Sequence, residues 1–338
     1  IKSINNDDNK LSSYEFKKII INFNQNDSKK SIYKNKKILI TGAAGTIGEE
    51  LCFQLIKEEP SELILLDSNE LGISNLIQKL QNLKITNVKV TTLLVNLCIF
   101  SSIQKLVTSN KPDFIFHAAA YKHVEIVEQN PINAIYNNIT SLINILEASK
   151  NLVNLNFVFI STDKAVEPVN YMGKSKRLGE IITNSSNNIF KNQNKYFSVR
   201  FGNVIGSSGS LIPKIQNQLK NNEEITVTDK NATRYFMTIS DAINLTLYAV
   251  SLNKTNEIIV LNMGDPINIF DLVKKIIKNS GKASNSDKIK ITGLRNGEKL
   301  HEKLYNEKLT KPHLNNLFFI ETIPEKIDTQ KFTLITQN

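Results

Sequence analysis

Cysteine, histidine and long apolar segments are all scarce in this sequence. Its two cysteines, Cys52 and Cys98, do not cluster with any of the four histidines among the 338 residues. This excludes a disulfide scaffold, gives no metal site and fits a reducing compartment. No apolar run approaches the roughly 18 residues that a membrane-spanning helix needs, and no signal-peptide pattern opens the chain. With 41% hydrophobic and 22% charged residues, the composition is that of a globular α/β protein.

Acidic residues are outnumbered, because 42 Lys and Arg against 32 Asp and Glu give a formal net charge of +10. A basic balance can indicate nucleic-acid binding. Here, however, the lysines are dispersed among asparagines and isoleucines, and neither an Arg-rich block nor zinc-finger spacing occurs. We therefore predict solvated surface lysines and no nucleic-acid partner. The basic balance also suits an anionic small substrate.

Short apolar runs alternate with helical patterns over the first two thirds of the chain. Strands are predicted at 36–40, 63–66, 88–93, 114–116, 157–160 and 196–200. Alternation at this spacing is typical of βαβ units, so we predict an α/β fold: a Rossmann-like, doubly wound parallel sheet with a smaller C-terminal domain. The predicted domains are an N-terminal arm or linker (1–35), a dinucleotide-binding Rossmann domain (36–203 with about 234–263) and a substrate domain (about 204–233 and 264–338).

A glycine-rich turn, TGAAGTIG (41–48), follows the first predicted strand. Its glycines let the backbone turn tightly and approach a pyrophosphate, which then lies on amides at a helix N-terminus. Asp67 ends the second strand, where an acid bonds the adenosine ribose and favours NAD over NADP by repelling a 2′-phosphate. The predicted cofactor-binding residues are Gly42, Ala44, Gly45, Thr46, Ile47, Gly48 and Asp67. The alternative is a glycine turn that serves only close helix–strand packing.

Six later segments of the sequence narrow the range of possible functions. In chain order they read HAAAYKHV (117–124), STDKAV (161–166), MGKSKR (172–177), RFGNVIGSSGS (200–210), TRYFM (233–237) and GLRNGEKL (293–300). Together with the glycine turn they resemble the UDP-N-acetylglucosamine 4,6-dehydratase family, the CapD-like polysaccharide biosynthesis proteins of the extended short-chain dehydrogenase/reductase superfamily. The resemblance runs from about Lys36 to Leu317. It implies an NAD-dependent hydro-lyase that makes a UDP-4-keto-6-deoxy sugar for surface polysaccharide or glycan biosynthesis.

The resemblance also implies how the protein is organised in the cell. Superfamily members often pair through two helices, so a homo-oligomer is expected. The methionine of the third segment, Met172, resembles the large, membrane-anchored branch of the family, whose transmembrane helices precede the catalytic domain. The expected location is the cytoplasm, and the resemblance allows a membrane anchor upstream of Ile1 that would make this chain the cytoplasmic domain of an inner-membrane protein.

Five residues receive catalytic roles from the resemblance. Thr162 is expected to contact the sugar 4-hydroxyl while NAD⁺ removes hydride from C4. Lys164 would then take the C5 proton and Asp163 would protonate the departing 6-hydroxyl, after which the hydride returns to C6. Lys176 is assigned to the nicotinamide ribose. Met172 stands where ordinary members have tyrosine, and because a thioether transfers no proton we assign it to shaping the pocket, with plain core packing as the alternative.

Other positions receive roles from the same resemblance. Asn96, Ala118, Ala119 and Lys122 are expected near the cofactor, although Asn96 replaces the usual aspartate. The predicted substrate-binding residues are Lys122, Asn203, Arg234, Arg295 and Glu298. Guanidinium groups suit a diphosphate. The alternatives are a surface ion pair for each arginine and a solvated turn for Asp163 with Lys164.

Three other functions compete with this one. A UDP-sugar C4 epimerase and a dehydratase that also inverts C5 use the same fold and cofactor. A non-catalytic NAD-binding regulator is the third, and the set of Thr162, Asp163 and Lys164 argues against it because a sensor needs no acid and base beside the nicotinamide.

Overall fold

A computed structural model describes most of the chain between Ser31 and Glu321. The described ranges are 31–83, 87–207, 209–253, 257–280, 289–306, 310–313 and 317–321. Residues 1–30 of the predicted N-terminal arm, and residues 322–338 of the predicted substrate domain, therefore lie outside the described residues.

Strands and helices alternate along the chain. The strands are β1 (Lys37–Thr41), β2 (Glu62–Asp67), β3 (Lys89–Leu94), β4 (Phe114–His117), β5 (Asn156–Thr162), β6 (Lys195–Phe201), β7 (Asn203–Ile205), β8 (Ile225–Val227), β9 (Thr233–Arg234), β10 (Phe236–Thr238), β11 (Glu257–Leu261), β12 (Ile267–Asn268), β13 (Ile289–Ile291), β14 (Thr310–His313) and β15 (Leu317–Glu321). The α-helices are α1 (Thr46–Ile56), α2 (Glu70–Asn82), α3 (Phe100–Asn110), α4 (Val124–Gln129), α5 (Pro131–Ile135), α6 (Ser141–Ser149), α7 (Tyr171–Ile189), α8 (Leu211–Lys220), α9 (Ile239–Ser251) and α10 (Ile269–Asn279). A π-helical turn, Tyr136–Thr140, joins α5 to α6, and a 3₁₀ turn, Asp163–Ala165, follows β5.

The main sheet has the strand order β3-β2-β1-β4-β5-β6-β11-β15-β14. Strands β3 through β11 in this order run parallel, whereas β15 pairs antiparallel with both β11 and β14. The predicted doubly wound parallel sheet is thus confirmed. Because the strand order reverses between β1 and β4, a crevice opens at the carboxyl ends of these two strands, where such folds bind ligands.

Both faces of the sheet are covered, which explains why its strands read as continuous apolar runs. Along β1, Ile38 and Ile40 lie in one core cluster, which also receives side chains of α1 and α9. Leu39, between them, lies in the opposite cluster with Phe157 and side chains of α3 and α6. The alternation determines on which face of the sheet each side chain is buried. It therefore also determines the register of β1 and β4, whose last residues lie at the crevice.

Tyr33 shows that the end of the predicted arm is part of the core. Its side chain is buried, its ring centroid lies 5.0 Å from that of Phe114, and its hydroxyl donates to the carbonyl oxygen of Leu247 at 2.8 Å. The polar composition of the segment gave no signal for this contact, because a single aromatic residue can anchor an otherwise polar stretch.

The C-terminal part of the predicted substrate domain also differs from its predicted placement. Strands β14 and β15 extend the main sheet, although 264–338 was assigned to the smaller domain. Leu317 and Phe319 of β15 are buried in the core cluster of the main sheet, and this burial accounts for the pairing with β11. A separate apolar cluster does gather α8, α10 and β8 around Ile215 and Val273. The remaining domain boundaries stay predictions. Within the described ranges, no helix combines the length and hydrophobicity that a bilayer crossing requires.

The buried sheet predicts a sharp difference between two leucines on adjacent strands. Leu65 on β2 is fully buried, whereas Leu94 on β3 is 59% exposed. Leu65→Ala should lower the free energy of unfolding by about 2–5 kcal/mol because it leaves a cavity. Leu94→Ala, the matched control, should change it by about 0.5 kcal/mol or less. Urea unfolding followed by circular dichroism measures both, and equal losses would contradict the described burial.

Candidate functional site

The glycine-rich turn between β1 and α1 forms a tight cradle at the crevice. Gly42 has a φ of 66°, and a Cβ there would lie 2.7 Å from the amide nitrogen of Ala119. A Cβ on Gly48 would lie 2.1 Å from the carbonyl oxygen of Gly42. Gly45 is the N-cap of α1 and supplies no capping side chain. This leaves the helix N-terminus open to an anion, so the cradle fits a pyrophosphate.

Asp67 closes the cradle from the end of β2. Its Oδ2 accepts a hydrogen bond from the amide of Ala44 at 3.0 Å, and its Oδ1 accepts one from the amide of Asn69 at 2.9 Å. These bonds fix the carboxylate beside the glycine turn. Because each carboxylate oxygen has a second lone pair, Asp67 can still accept from a ribose hydroxyl. The structure therefore brings the predicted ribose acid and the predicted phosphate turn together.

Asn96 lies on the same side of the sheet, beyond β3. Its side chain is exposed, and its Oδ1 accepts from the amide of Cys98 at 2.9 Å. Both residues line a surface depression of about 490 Å³, with Tyr121 and side chains of α4, α5 and the π-helical turn. Asn96 is thus accessible, as a residue near an adenine must be.

His117 and Thr41, the last residues of β4 and β1, are joined at the crevice. Thr41 Oγ1 lies 2.9 Å from His117 Nδ1, and the amide of Ala118 donates to the carbonyl oxygen of Thr41 at 3.2 Å. Burial, and to a smaller extent the charge of Lys176, lowers the pKa of His117 to about 3. The imidazole is therefore neutral and serves to hold the turn at Ala118 and Ala119 against the glycine cradle.

Thr162, Asp163 and Lys164 form one hydrogen-bonded cluster at the carboxyl end of β5. Thr162 Oγ1 donates to Asp163 Oδ1 at 2.8 Å, and Lys164 Nζ donates to the same oxygen at 3.0 Å. The Asp163 side chain is fully buried and its Oδ2 has no hydrogen-bond partner among the described residues. The pair is therefore not a solvated turn. It is a desolvated carboxyl whose second oxygen still requires a donor or a proton.

Asn203, at the start of β7, joins this cluster. Lys164 Nζ lies 3.4 Å from Asn203 Oδ1, so the amine has one partner in the 3₁₀ turn after β5 and another on β7. A Cβ on the preceding residue, Gly202, would lie 3.0 Å from Asp163 Oδ2, which shows how closely the β6–β7 connection covers the carboxyl. Lys122 lies on the exposed loop after β4.

Lys176 and Met172, both on α7, occupy different surroundings. Lys176 is 8% exposed, and its Nζ donates to the carbonyl oxygen of Ile160 on β5 at 2.8 Å. Burial lowers its pKa to about 8, against the opposing charge of Glu180. Met172 is 4% exposed and packs with Val127 and Ala134 in a small apolar cluster. Its contacts are those of a core residue, so its share in shaping a pocket stays a prediction.

The structure brings Arg234 and Glu298 together but gives Arg295 a separate partner. Arg234 is largely buried; it donates to Glu298 Oε1 at 2.7 Å and to the carbonyl oxygen of Leu300 at 3.0 Å. Arg295 pairs with Glu125 at 2.8 Å, and both of these side chains are more than half exposed. Arg295 therefore makes the surface ion pair that was the alternative to diphosphate binding. Arg234 instead holds β9 against the 298–300 segment.

Sequence reasoning missed an asparagine that supports the Lys122 loop. Asn138, in the π-helical turn, accepts from the amide of Tyr121 at 2.7 Å and donates to the carbonyl oxygen of Tyr121 at 3.1 Å and to Ser175 Oγ at 3.0 Å. It thus ties the loop to α7. Nothing in the Asn-rich composition distinguished this residue from its neighbours.

Two buried glutamates were missed as well. Glu180 accepts from Ser161 Oγ at 2.6 Å and forms a bidentate pair with Arg200, at 2.8 and 2.6 Å. Its spacing of four residues after Lys176 puts both on one face of α7, and this is the signal that could have found it. Glu302 is 6% exposed and lies near the Asp163 cluster. No local pattern marks it.

Lys176 should titrate at about 8 because burial disfavours its charged form. In protein carrying [¹³C]lysine, its Cε signal should shift with a midpoint near that value, and Lys176→Arg should remove this signal alone. The remaining lysine signals act as the internal reference. A midpoint at the ordinary lysine value of 10.5 would contradict the described burial.

Comparison with known proteins agrees with this geometry. The family described as "Polysaccharide biosynthesis protein" matches residues 38–322. The capsular polysaccharide biosynthesis protein CapD of Staphylococcus aureus is 41% identical over 79% of this chain and 45% of its own length. A UDP-glucose 4-epimerase of Rickettsia bellii is 32% identical over 78% of this chain and 76% of its own length. The X-ray structure of Pen from Bacillus thuringiensis has a TM-score of 0.79 at 31% identity, covering 90% of this chain and 98% of Pen.

The family match covers the glycine turn, the β5 cluster and the late arginine segment, and together with the identity to CapD it confirms the predicted resemblance. The chain spans less than half the length of CapD. From the extent of the family match and the identity to CapD, this chain belongs to the polysaccharide biosynthesis protein family.

Proposed function

We propose that this chain is an NAD-dependent nucleotide-sugar 4,6-dehydratase that converts UDP-N-acetylglucosamine to a UDP-4-keto-6-deoxy sugar for polysaccharide or glycan biosynthesis. The observation that carries the proposal is the cluster of Thr162, Asp163 and Lys164 at the end of β5. It provides a hydroxyl, a carboxyl and an amine in mutual hydrogen-bond contact, and the carboxyl keeps one buried oxygen without a partner. Self-association and an upstream membrane anchor stay predictions.

NAD fits the cradle at the switch point of the sheet. The Gly42–Gly48 turn and the α1 N-terminus would hold its pyrophosphate, Asp67 its adenosine ribose, and Lys176 its nicotinamide ribose. When bound there, NAD supplies a hydride acceptor for C4 of the sugar and a hydride donor for C6. The carboxylate of Asp67 favours NAD over NADP because it repels a 2′-phosphate.

Lys164 and Asp163 would handle the protons of the elimination. With a ketone at C4, the C5 proton becomes acidic and Lys164, as the neutral amine, takes it. Asp163, as the neutral acid, gives its proton to the 6-hydroxyl, so the C6–O bond breaks and water leaves. The proton held by Lys164 then returns to C5. The 4-hydroxyl proton, freed when hydride leaves C4, would pass through Thr162 to Asp163 and supply the acid, so Asp163 begins and ends each turnover ionised and Lys164 begins and ends it neutral.

The nucleotide sugar would lie over this cluster. Asn203 contacts Lys164, as Asp163 does, and would bond the sugar or the diphosphate. Lys122 approaches from the β4 loop, and Arg295 is accessible to the diphosphate once it leaves Glu125. Arg234 and Glu298 already bond each other, so we propose that they act on the substrate by fixing the 298–300 segment.

A UDP-sugar C4 epimerase is the second candidate, favoured by the Rickettsia bellii relative at 32% identity. An epimerase exchanges hydride at C4 only and has no step for an acid that expels the 6-hydroxyl. Incubation of the chain with UDP-N-acetylglucosamine and NAD distinguishes the two functions. A product lighter by one water supports the dehydratase, and NMR at C5 reveals whether that centre is inverted. An unchanged mass with altered C4 stereochemistry supports the epimerase.

Asp163→Asn should lower the rate of water loss by about 10²–10⁴-fold, because the amide cannot donate the proton that the leaving hydroxyl needs. NAD affinity, measured by isothermal titration, should stay unchanged. The matched control is Asp113→Asn, which removes a partly exposed carboxylate paired with Lys36 and should leave the rate as it is. Turnover of Asp163→Asn near that of the unmodified chain would refute the acid role.

A further inference from the structure

The ion pair between Arg295 and Glu125 joins two distant parts of the chain at the edge of the proposed site. Arg295 Nη1 donates to Glu125 Oε2 at 2.8 Å, across a separation of 170 residues. Glu125 lies in the first turn of α4, directly after the β4 loop that carries Lys122. Arg295 belongs to the segment between β13 and β14. The proposed mechanism gives Glu125 no role, although the pair ties together two of the elements that surround the substrate.

The segment that carries Arg295 is anchored beside the β5 cluster. Lys299 Nζ donates to the carbonyl oxygen of Val166 at 2.6 Å, next to the 3₁₀ turn that contains the acid and the base. The carbonyl oxygen of Gly297 accepts from Asn170 Nδ2 at 2.7 Å. These bonds hold the segment against the loop that follows the cluster, so Arg295 stands beside the place proposed for the nucleotide sugar.

The backbone of Arg295 is held independently of its side chain. Its amide donates to Glu298 Oε2 at 3.2 Å, and its carbonyl oxygen accepts from the amide of Glu298 at 3.0 Å. A Cβ on Gly297 would lie 3.5 Å from Glu128 Cδ, one turn along α4 from Glu125. The guanidinium itself is 51% exposed and bonds to the Glu125 carboxylate. It can therefore change its partner by side-chain rotation while the segment stays in place.

We infer that Glu125 sets the affinity for the nucleotide sugar by competing with its diphosphate for the Arg295 guanidinium. This inference rests on the proposed function, which places the diphosphate there. A carboxylate and a phosphate both present paired oxygens to the donors of an arginine, so one group can stand in for the other. A diphosphate at Arg295 also brings its negative charge beside the carboxylate, and like charges repel. Binding therefore breaks the ion pair, and this cost lowers the affinity.

The affinity for UDP, measured by isothermal titration, tests this inference without turnover. Glu125→Gln should lower the dissociation constant of UDP by about 2–5-fold, the factor that corresponds to the usual strength of an exposed ion pair. Glu167→Gln is the matched control, because it removes the same charge from a glutamate that is 53% exposed and pairs with Lys303 on the same segment. Its dissociation constant should equal that of the unmodified chain. An equal gain in both variants would assign the effect to net charge and overturn the inference.

A double-mutant cycle separates competition at Arg295 from any other effect of Glu125. Arg295→Gln should weaken UDP binding. Adding Glu125→Gln to it should change the dissociation constant no further, because no guanidinium remains for the carboxylate to occupy. A gain that persists without Arg295 would show that the carboxylate repels the nucleotide directly, and the inference would fall.

The outcomes distinguish this inference from the proposed function. If UDP binds and Glu125→Gln leaves its affinity as it is, the inference fails while the dehydratase proposal stands. If Glu125→Gln tightens UDP binding but UDP-N-acetylglucosamine loses no water, the dehydratase proposal fails while the competition at Arg295 stands. If UDP binds to none of the variants and not to the unmodified chain, both fail.

Discussion

The ion pair between Glu180 and Arg200 is the interaction on which the geometry of the site depends. Both side chains are buried, and the guanidinium meets the carboxylate through two hydrogen bonds. Glu180 also accepts from Ser161, the residue before Thr162, and Arg200 donates to the carbonyl oxygen of Leu304 at 3.2 Å. One pair thus joins α7, β5, β6 and the segment that carries Glu302. Removing either partner would leave an uncompensated buried charge, a loss of about 3–5 kcal/mol.

Around this pair, some groups of the site are held in place by hydrogen bonds to the protein, and two carboxyl groups keep a buried oxygen without a partner. Lys176, His117 and Asp67 all have protein partners that fix their positions at the strand ends. Asp163 and Glu302 each keep a buried oxygen without one. Such unsatisfied atoms cost stability, and folded proteins retain them mainly where a ligand or a proton compensates. His117 Nε2 is also buried without a partner, so the residues that hold the framework contain such an atom as well.

The sequence allowed the parallel strands, the glycine turn and the β5 cluster to be predicted, because each depends on local pattern. Ile38 to Ile40 show a buried strand by composition alone, and the turn at Gly42 needs glycine whatever surrounds it. The antiparallel strands β14 and β15 escaped prediction because their pairing with β11 is a long-range contact. The burial of Glu302 escaped for the same reason: its neighbours lie on β5 and β9, distant in the chain. Tyr33 was hidden by its polar surroundings.

The π-helical turn between α5 and α6 has a consequence for the cofactor side of the crevice. A π turn accommodates one residue more than an α-helical turn, and each residue advances an α-helix by about 100°. The extra residue changes the direction of the side chains after it by about that angle, and Asn138 in this turn contacts both the backbone at Tyr121 and the Ser175 hydroxyl. Deleting a single residue there would regularise the helix and turn the asparagine away from the loop. The irregular turn thus places the asparagine that holds the Lys122 loop.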